Sequence, residues 1–189
     1  MQTANKEFVT KEIKYFDGME LLCSSLSHDG ALLVVEDNAM TIGWATVGII
    51  WGKPIITVLV RKTRYTYELI ERSNHFSVCV PETNTLKEEL ALCGTQSGRN
   101  TNKIKECRFN LIPGKLSKTN IITNCSLFYE ARIVHKNEVS PETVNAKIKD
   151  NYYSTGHYHS VYYGKIEHCY LKDNSHYKTT SSSSSFHKR

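Results

Sequence analysis

Apolar and polar positions alternate from Cys125 to His135. Cys125, Leu127, Tyr129, Ala131 and Ile133 fall on one side; Ser126, Glu130 and Arg132 fall on the other. A period of two predicts a half-buried antiparallel strand. Other segments carry continuous apolar runs. Ala31–Glu36 reads as a buried strand ended by Asp37-Asn38. Thr41–Trp51 is rich in β-branched and aromatic residues and reads as one strand. Gly52-Lys53-Pro54 then turns the chain, and Ile55–Val60 returns to complete a hairpin. Gly43 and Gly48 inside that stretch point to a bulge or to close approach of another group. His75–Val80, stopped by Pro81, and Val161–Leu171 are the remaining predicted strands.

The helical signals are shorter. Lys14–Cys23 reads as a strand-turn-helix lead-in around Asp17-Gly18, followed by a turn at Ser27–Gly30. Arg64–Ser73 places Tyr65, Leu69 and Ile70 on one helical face, and Asn74 is positioned to close it. Thr85-Leu86-Lys87-Glu88 matches a capping box, with Gly94 placed to end the helix it opens. Asn102–Cys107 has room for one or two helical turns, and Ser140-Pro141 has the form of an N-cap followed by a first-turn proline. There is no internal repeat. Many short strands with a few short helices predict a mainly β fold, a closed or split antiparallel barrel.

Composition narrows the class. The chain has 189 residues, 40% hydrophobic and 23% charged, which fits one globular domain over 1–171. The tail, 172–189, contains five consecutive serines and no apolar pattern, so disorder is expected there. No apolar run approaches the roughly 20 residues of a membrane-spanning helix. The polar opening, Met1–Phe16, has no apolar core of a secretory signal. The net charge of +5 is dispersed along the chain, which favours an anionic small molecule over nucleic acid as partner. The six cysteines form no C-x-x-C pair and have no histidine at metal spacing, so reduced thiols and a cytoplasmic location are expected.

Three clusters are candidates for chemistry. Asn38–Thr46 surrounds Gly43 with small and hydroxyl side chains. It suits either a planar heterocycle with edge acceptors or an ordinary bulged strand. Arg61-Lys62-Thr63-Arg64-Tyr65-Thr66 puts three cations at the start of a helix, where they oppose the helix dipole. That pattern is either a phosphate site or a solvated basic turn. Cys93–Asn100 follows a helix and is either a backbone-rich ligand loop or a helix-ending turn. Cys93 lacks a positive field that would make it a nucleophile. His157, His159, His168 and His176 supply no third ligand at metal spacing and read as surface or interface residues. No catalytic acid, base or nucleophile is assigned, and no metal site is expected.

Taken together, the motifs resemble the flavin reductase-like proteins with an FMN-binding split barrel, of the flavoredoxin type. The resemblance rests on Asn38-x-Met40-Thr41-x-x-Trp44, Gly52-Lys53-Pro54, Arg61-x-x-Arg64-Tyr65-Thr66, Phe76-Ser77-Val78-x-Val80-Pro81, Cys93-Gly94-x-x-Ser97-Gly98-Arg99-x-x-x-Lys103 and His159-x-x-Tyr162-Tyr163-Gly164. It implies an antiparallel, Greek-key-like split β-barrel and a homodimer with non-covalent FMN near the subunit interface. By position, Thr41, Gly43, Trp44, Ala45 and Thr46 would line the flavin ring and ribityl chain. Arg61, Arg64 and Thr66 would hold the phosphate, and Ser97, Gly98, Arg99 and Lys103 would lie near flavin or phosphate, from this chain or its partner. Asn38, Met40 and Tyr65 complete the candidate set. Asn100 and Lys165 depart from the pattern, which has acidic residues there. The implied activity is electron transfer from NAD(P)H through FMN to a flavin, a ferric complex, dioxygen or a small redox protein. The alternative is an FMN-binding electron carrier with no nicotinamide site of its own. Because a flavin carries the redox chemistry, no catalytic side-chain constellation is required.

Overall fold

The computed structural model describes residues 8–173. In chain order the elements are β1 (Thr10–Glu12), α1 (Met19–Ser27), β2 (Ala31–Val35), β3 (Asn38–Ile42), β4 (Ala45–Ile50), β5 (Lys53–Arg61), α2 (Tyr65–Ser73) and β6 (His75–Val80). They continue with α3 (Lys87–Thr95), α4 (Lys103–Glu106), β7 (Leu111–Pro113), β8 (Asn120–Ile122), β9 (Leu127–Glu138), α5 (Ala146–Tyr152) and β10 (His159–Lys172). The fold is mainly β and antiparallel.

One sheet dominates, in the order β3-β2-β6-β9-β10-β5-β4, with β1 added beside the end of β10. β3 and β4 occupy opposite ends of this order, yet only Gly43 and Trp44 separate them in the chain. A flat sheet cannot bring its two outer strands within a two-residue bend. The sheet therefore rolls into a barrel, and the unpaired edges of β3 and β4 leave it split. The predicted single strand over Thr41–Trp51 is thus two strands broken at Gly43-Trp44. Asn38 does not end a strand but begins β3, across a tight turn from β2. Neither Gly43 nor Gly48 has any heavy atom within 4 Å of where a Cβ would stand, so close packing explains neither.

The β4–β5 hairpin forms, but its turn is not at Gly52-Lys53-Pro54: Ile50 pairs with Lys53 and Ile49 with Pro54, so Lys53 and Pro54 belong to β5. Its two turn residues, Trp51 and Gly52, both have positive φ (54° and 67°), the signature of the primed turns that match strand twist. Between β9 and β10 the register shifts at Tyr163/Gly164 and again at Ile166/His168. These bulges bend the longest strand pair around the barrel. Gly164 sits where a Cβ would stand 2.5 Å from Phe76 Cζ, so only glycine fits.

Two apolar clusters fill the molecule. One lies inside the barrel around Leu33, Val78, Tyr129 and Tyr162, and α2 adds Leu69 and Ile70 to it. The other packs Leu32, Val34, Cys79 and Phe128 against α3 and the β7–β8 pair. This second cluster corrects the half-buried reading of Cys125–His135. Phe128 and Glu130, on the supposedly polar side, are fully buried. Glu130 accepts from the amides of Lys115 and Leu116 (2.8 Å each), from the Tyr170 hydroxyl at 2.5 Å and from the Thr119 hydroxyl. It pins the segment between β7 and β8 to the sheet.

Helix termini differ from the local signals in three places. Arg64–Ser73 is helical from Tyr65, with Asn74 closing it in the left-handed conformation (φ 57°). The predicted capping box is not made. Leu86 occupies the N-cap of α3 with φ 56°, and the Thr85 hydroxyl donates to the Glu82 carbonyl instead. Gly94 does not end α3; the helix runs to Thr95, and Gly94 faces Thr41. Ser140-Pro141 forms a turn, while α5 starts later with Asn145 as its cap, accepting from Lys147 N–H at 3.0 Å. Lys172 belongs to β10; the rest of the predicted tail, from 174 on, lies outside the described residues.

Candidate functional site

The split in the barrel opens onto a cleft. Met40–Trp44 form one wall, from the end of β3 through the bend. Leu59 and Arg61 on β5, Arg64 before α2 and His159 at the start of β10 form the other, around about 180 Å³. Past Arg61 and Arg64 the cleft continues into a second compartment of about 230 Å³. Thr63, Tyr65, Thr66, Cys93, Gln96, Ser97, Gly98, Arg99 and Lys103 line this part, and Met40, Arg61 and Arg64 border both. The first compartment combines Met40, Ile42, Trp44, Leu59 and His159 with the two arginines, and the second adds Arg99, Lys103, hydroxyls and backbone.

Each cation is held differently. Arg61 donates to the carbonyls of Tyr152 and His157 (2.8 Å each), tying the β9–β10 connection to the cleft. Arg99 donates to the Thr63 carbonyl at 3.2 Å, pairs with Glu68 and lies over the Tyr65 ring. Lys103 is buried, with Nζ 3.4 Å from the Cys93 carbonyl. The Arg64 guanidinium has no hydrogen bond or ion pair among the described residues. Arg64 is also the N-cap of α2, with extended backbone and no side-chain cap. The first amides of α2, at Tyr65 and Thr66, therefore have no intrahelical acceptor and offer an anion the positive end of the helix.

Two titratable groups register this uncompensated positive field. Burial, and then the charges of Arg61 and Arg64, push the His159 imidazole down to about 4. Burial, with Arg64 also acting against it, holds the Lys103 ammonium below the usual lysine range. An anion beside Arg64 would relieve both. His159 is 7% exposed, not a surface residue, and its Nδ1 hydrogen-bonds the Tyr153 hydroxyl at 2.9 Å. Trp44 packs its ring 4.9 Å from His159 and 5.1 Å from Tyr152, making an aromatic side to the first compartment.

The structure brings together Met40, Thr41, Gly43, Trp44, Arg61, Arg64, Tyr65, Thr66, Ser97, Gly98, Arg99 and Lys103 in one continuous cleft of a single chain. Asn38, Ala45 and Thr46 stand outside its lining. Asn38 donates to the Thr66 hydroxyl at 2.9 Å, and its Oδ1 lies 2.2 Å from where a Gly98 Cβ would be. It thus joins β3, α2 and the loop after α3. Thr46 shares its hydroxyl with Thr57 at 2.5 Å across the hairpin. Ala45 packs on the barrel core. Thr41 donates to the Leu90 carbonyl at 2.5 Å, fixing α3 against β3. The residues assigned to the site from sequence omit Ile42, Leu59, Thr63, Cys93, Gln96 and His159, all of which line it. The only available signal for His159 was its place in the quoted motif, because its register opposite Arg61 exists only once β10 pairs with β5.

The arrangement can hold an elongated molecule with a planar, partly apolar end and an anionic end. Comparisons with known proteins fit that geometry. Residues 25–182 match the model of the flavin reductase like domain. An uncharacterised protein of Archaeoglobus fulgidus is 31% identical over 111 residues, covering 59% of this chain and 62% of that protein. The match thus spans less than two thirds of that relative's length. Among solved structures, a flavoredoxin from Methanosarcina acetivorans is similar with a TM-score of 0.59 at 22% identity, covering 92% of this chain and 75% of that one. An FMN-binding domain of a flavin reductases-like enzyme from Shewanella baltica has a TM-score of 0.59 at 18% identity, covering 89% and 80%. At these identities the two structures share the split-barrel fold with this chain.

Proposed function

The chain belongs to the flavin reductase-like domain family, and on that premise we propose that it is an oxidoreductase that binds FMN non-covalently in the cleft and uses NAD(P)H as electron donor. The observation that carries this reading is the Arg64 guanidinium, without a hydrogen bond or ion pair among the described residues, where the compartment holding Trp44 and His159 meets the one holding Arg99 and Lys103. The residues fit the group. A dianionic phosphate would meet Arg64, the α2 amides, the Ser97–Gly98 loop and Lys103. A flavin ring would meet the open backbone of Thr41–Trp44, where Gly43 leaves the surface clear. When bound, FMN takes up and releases the electrons.

The chain's own residues bind, orient and shield. Arg64 and the first turn of α2 fix the anionic end. Asn38 positions Thr66 and the Gly98 loop behind it. Arg61 is a positioning residue for the segment that carries Tyr152 and His157, which covers the ring side of the cleft. Trp44 and His159 give that side of the cleft its aromatic wall, with Tyr152 packed against Trp44. The His159 imidazole, kept neutral by burial and the nearby arginines, lines the cleft with its Nδ1 held by the Tyr153 hydroxyl. Electron acceptors of this reading are a free flavin, a ferric complex, dioxygen or a small redox protein.

Residues 1–171 are taken as one cofactor-binding domain. We infer a homodimer from the family resemblance alone. The six free cysteines support a cytoplasmic setting. A second reading, an FMN electron carrier with no nicotinamide site, draws on the likeness to a flavoredoxin. Anaerobic mixing of the FMN-loaded protein with NADH and NADPH decides between them. Bleaching of the flavin bands within turnover times supports the reductase, and unbleached bands refute it in favour of the carrier. Failure to retain FMN at all refutes both.

A further inference from the structure

Cys93 and Cys107 meet beneath the cationic compartment. Cys93 lies in the last turns of α3 and lines that compartment; Cys107 follows the last residue of α4. Their Sγ atoms are 3.9 Å apart. Cys93 is fully buried, while Cys107 is 9% exposed. They are the one pair of cysteines with thiol-to-thiol contact among the described residues. A disulfide has an S–S length of about 2.0 Å, so a further approach of about 2 Å would join them. The two positions are 14 residues apart. The span between them carries Gln96, Ser97, Gly98, Arg99 and Lys103, all lining the compartment.

We propose that Cys93 and Cys107 are a redox modification site: a hydroperoxide converts them to a reversible disulfide, and the closed form binds FMN more weakly. The first half stands on the thiol geometry alone; the second rests on the FMN reading above. The chemistry balances without another reactant. The more exposed Cys107 sulfur attacks the peroxide, an O–O bond breaks and an S–O bond forms, giving a sulfenic acid and water or an alcohol. The Cys93 sulfur then displaces the hydroxyl; the S–S bond forms, the S–O bond breaks, and water leaves with the Cys93 proton. Two electrons pass from the two thiols to the peroxide. Burial keeps both thiols protonated near neutral pH, with Cys93 pushed up to about 12 and Cys107 also raised. Protonated thiols attack slowly, so the pair answers sustained oxidant.

Closure acts on the cleft through the two helices. α3 is anchored on β3 by the Thr41 bond to Leu90 and by the contact at Gly94. The shorter α4, with its preceding loop, takes up most of the approach. Lys103 opens α4 and leans on the Cys93 carbonyl at 3.4 Å. Moving that helix displaces Lys103 and the Ser97–Arg99 loop from their places beside Arg64.

The test exposes purified protein to hydrogen peroxide, alkylates remaining thiols in denaturant and maps the peptides by mass spectrometry. The expected result is loss of two hydrogens in a peptide pair linking Cys93 to Cys107, reversed by dithiothreitol and absent in C107S and C93A. Oxidation that yields no such link in the wild type overturns the proposal. Titration of FMN into reduced and oxidised wild type is then expected to show Kd rising about five-fold or more on oxidation, with no rise in C107S. A linked protein with unchanged Kd overturns the coupling. Reduced protein that takes up no FMN refutes the FMN reading and with it the second half, while the mass result decides the first half by itself.

Discussion

Replacing Arg64 with alanine separates the proposed anion site from the fold. The Arg64 guanidinium lines both compartments of the cleft and makes no hydrogen bond or ion pair among the described residues. Its removal costs the apoprotein no native partner. It also removes a positive charge that disfavours the charged forms of Lys103 and His159. Thermal unfolding of the apoprotein should therefore change little. Binding should change much more. A charge-assisted hydrogen bond contributes about 1.5–3 kcal/mol, so Kd for FMN should rise about 10- to 150-fold. Quenching of flavin fluorescence during titration measures this directly, and the wild-type Kd should itself weaken with salt. Arg61→Ala is the contrast. Arg61 holds two backbone carbonyls of the β9–β10 connection, so this variant should lower the unfolding temperature as well as the affinity. Wild-type affinity in Arg64→Ala, or equal loss of stability in the two variants, would refute the reasoning.

His159 should remain neutral through pH 5 and titrate near 4 in an NMR titration of imidazole signals. The unfolded chain protonates it near about 6.5, so its contribution to stability is full above that value and falls as pH drops toward 4. A midpoint near 6.5 in the folded protein would contradict the burial and the field of Arg61 and Arg64. Glu130→Gln places an amide N–H₂ among two backbone N–H donors and two hydroxyls, and should cost at least about 2 kcal/mol in urea unfolding. An unchanged midpoint would mean the carboxylate is not what holds the β7–β8 segment. Gly164→Ala drives a methyl to within 2.5 Å of Phe76 Cζ and 2.7 Å of Ala131 Cβ. It should destabilise by about 1–3 kcal/mol, and a neutral result in the same assay would show that the bulge relaxes.

Local signals and long-range pairing contributed different parts of this molecule. Local sequence signals by themselves determined the strand at His75–Val80, the helix closed by Asn74 and the presence of a hairpin, though its turn falls at Trp51-Gly52 and not at Gly52-Lys53-Pro54. Each depends on residues within a few positions of one another, through periodicity, a left-handed cap or a turn. The quoted motifs also carried the family and most of the cleft-lining residues. Only the tertiary structure decided that Thr41–Trp51 breaks into strands at opposite ends of the sheet, because strand partners are set by residues far away in sequence. For the same reason Glu130 reads as part of the polar face of a strand until the β7–β8 pair covers it and its neighbour Phe128. Thr41 and Thr46 look alike in sequence, yet one braces α3 beside the cleft and the other bonds across the hairpin. The bend between them sends them to different strands. The cleft itself was not legible, since it exists only where the rolled sheet fails to close and where β10, paired beside β5, brings His159 opposite Arg61. Patterning records which side of a segment prefers water; it does not record which distant segment will cover that side, and burial, field and site geometry all follow from that choice.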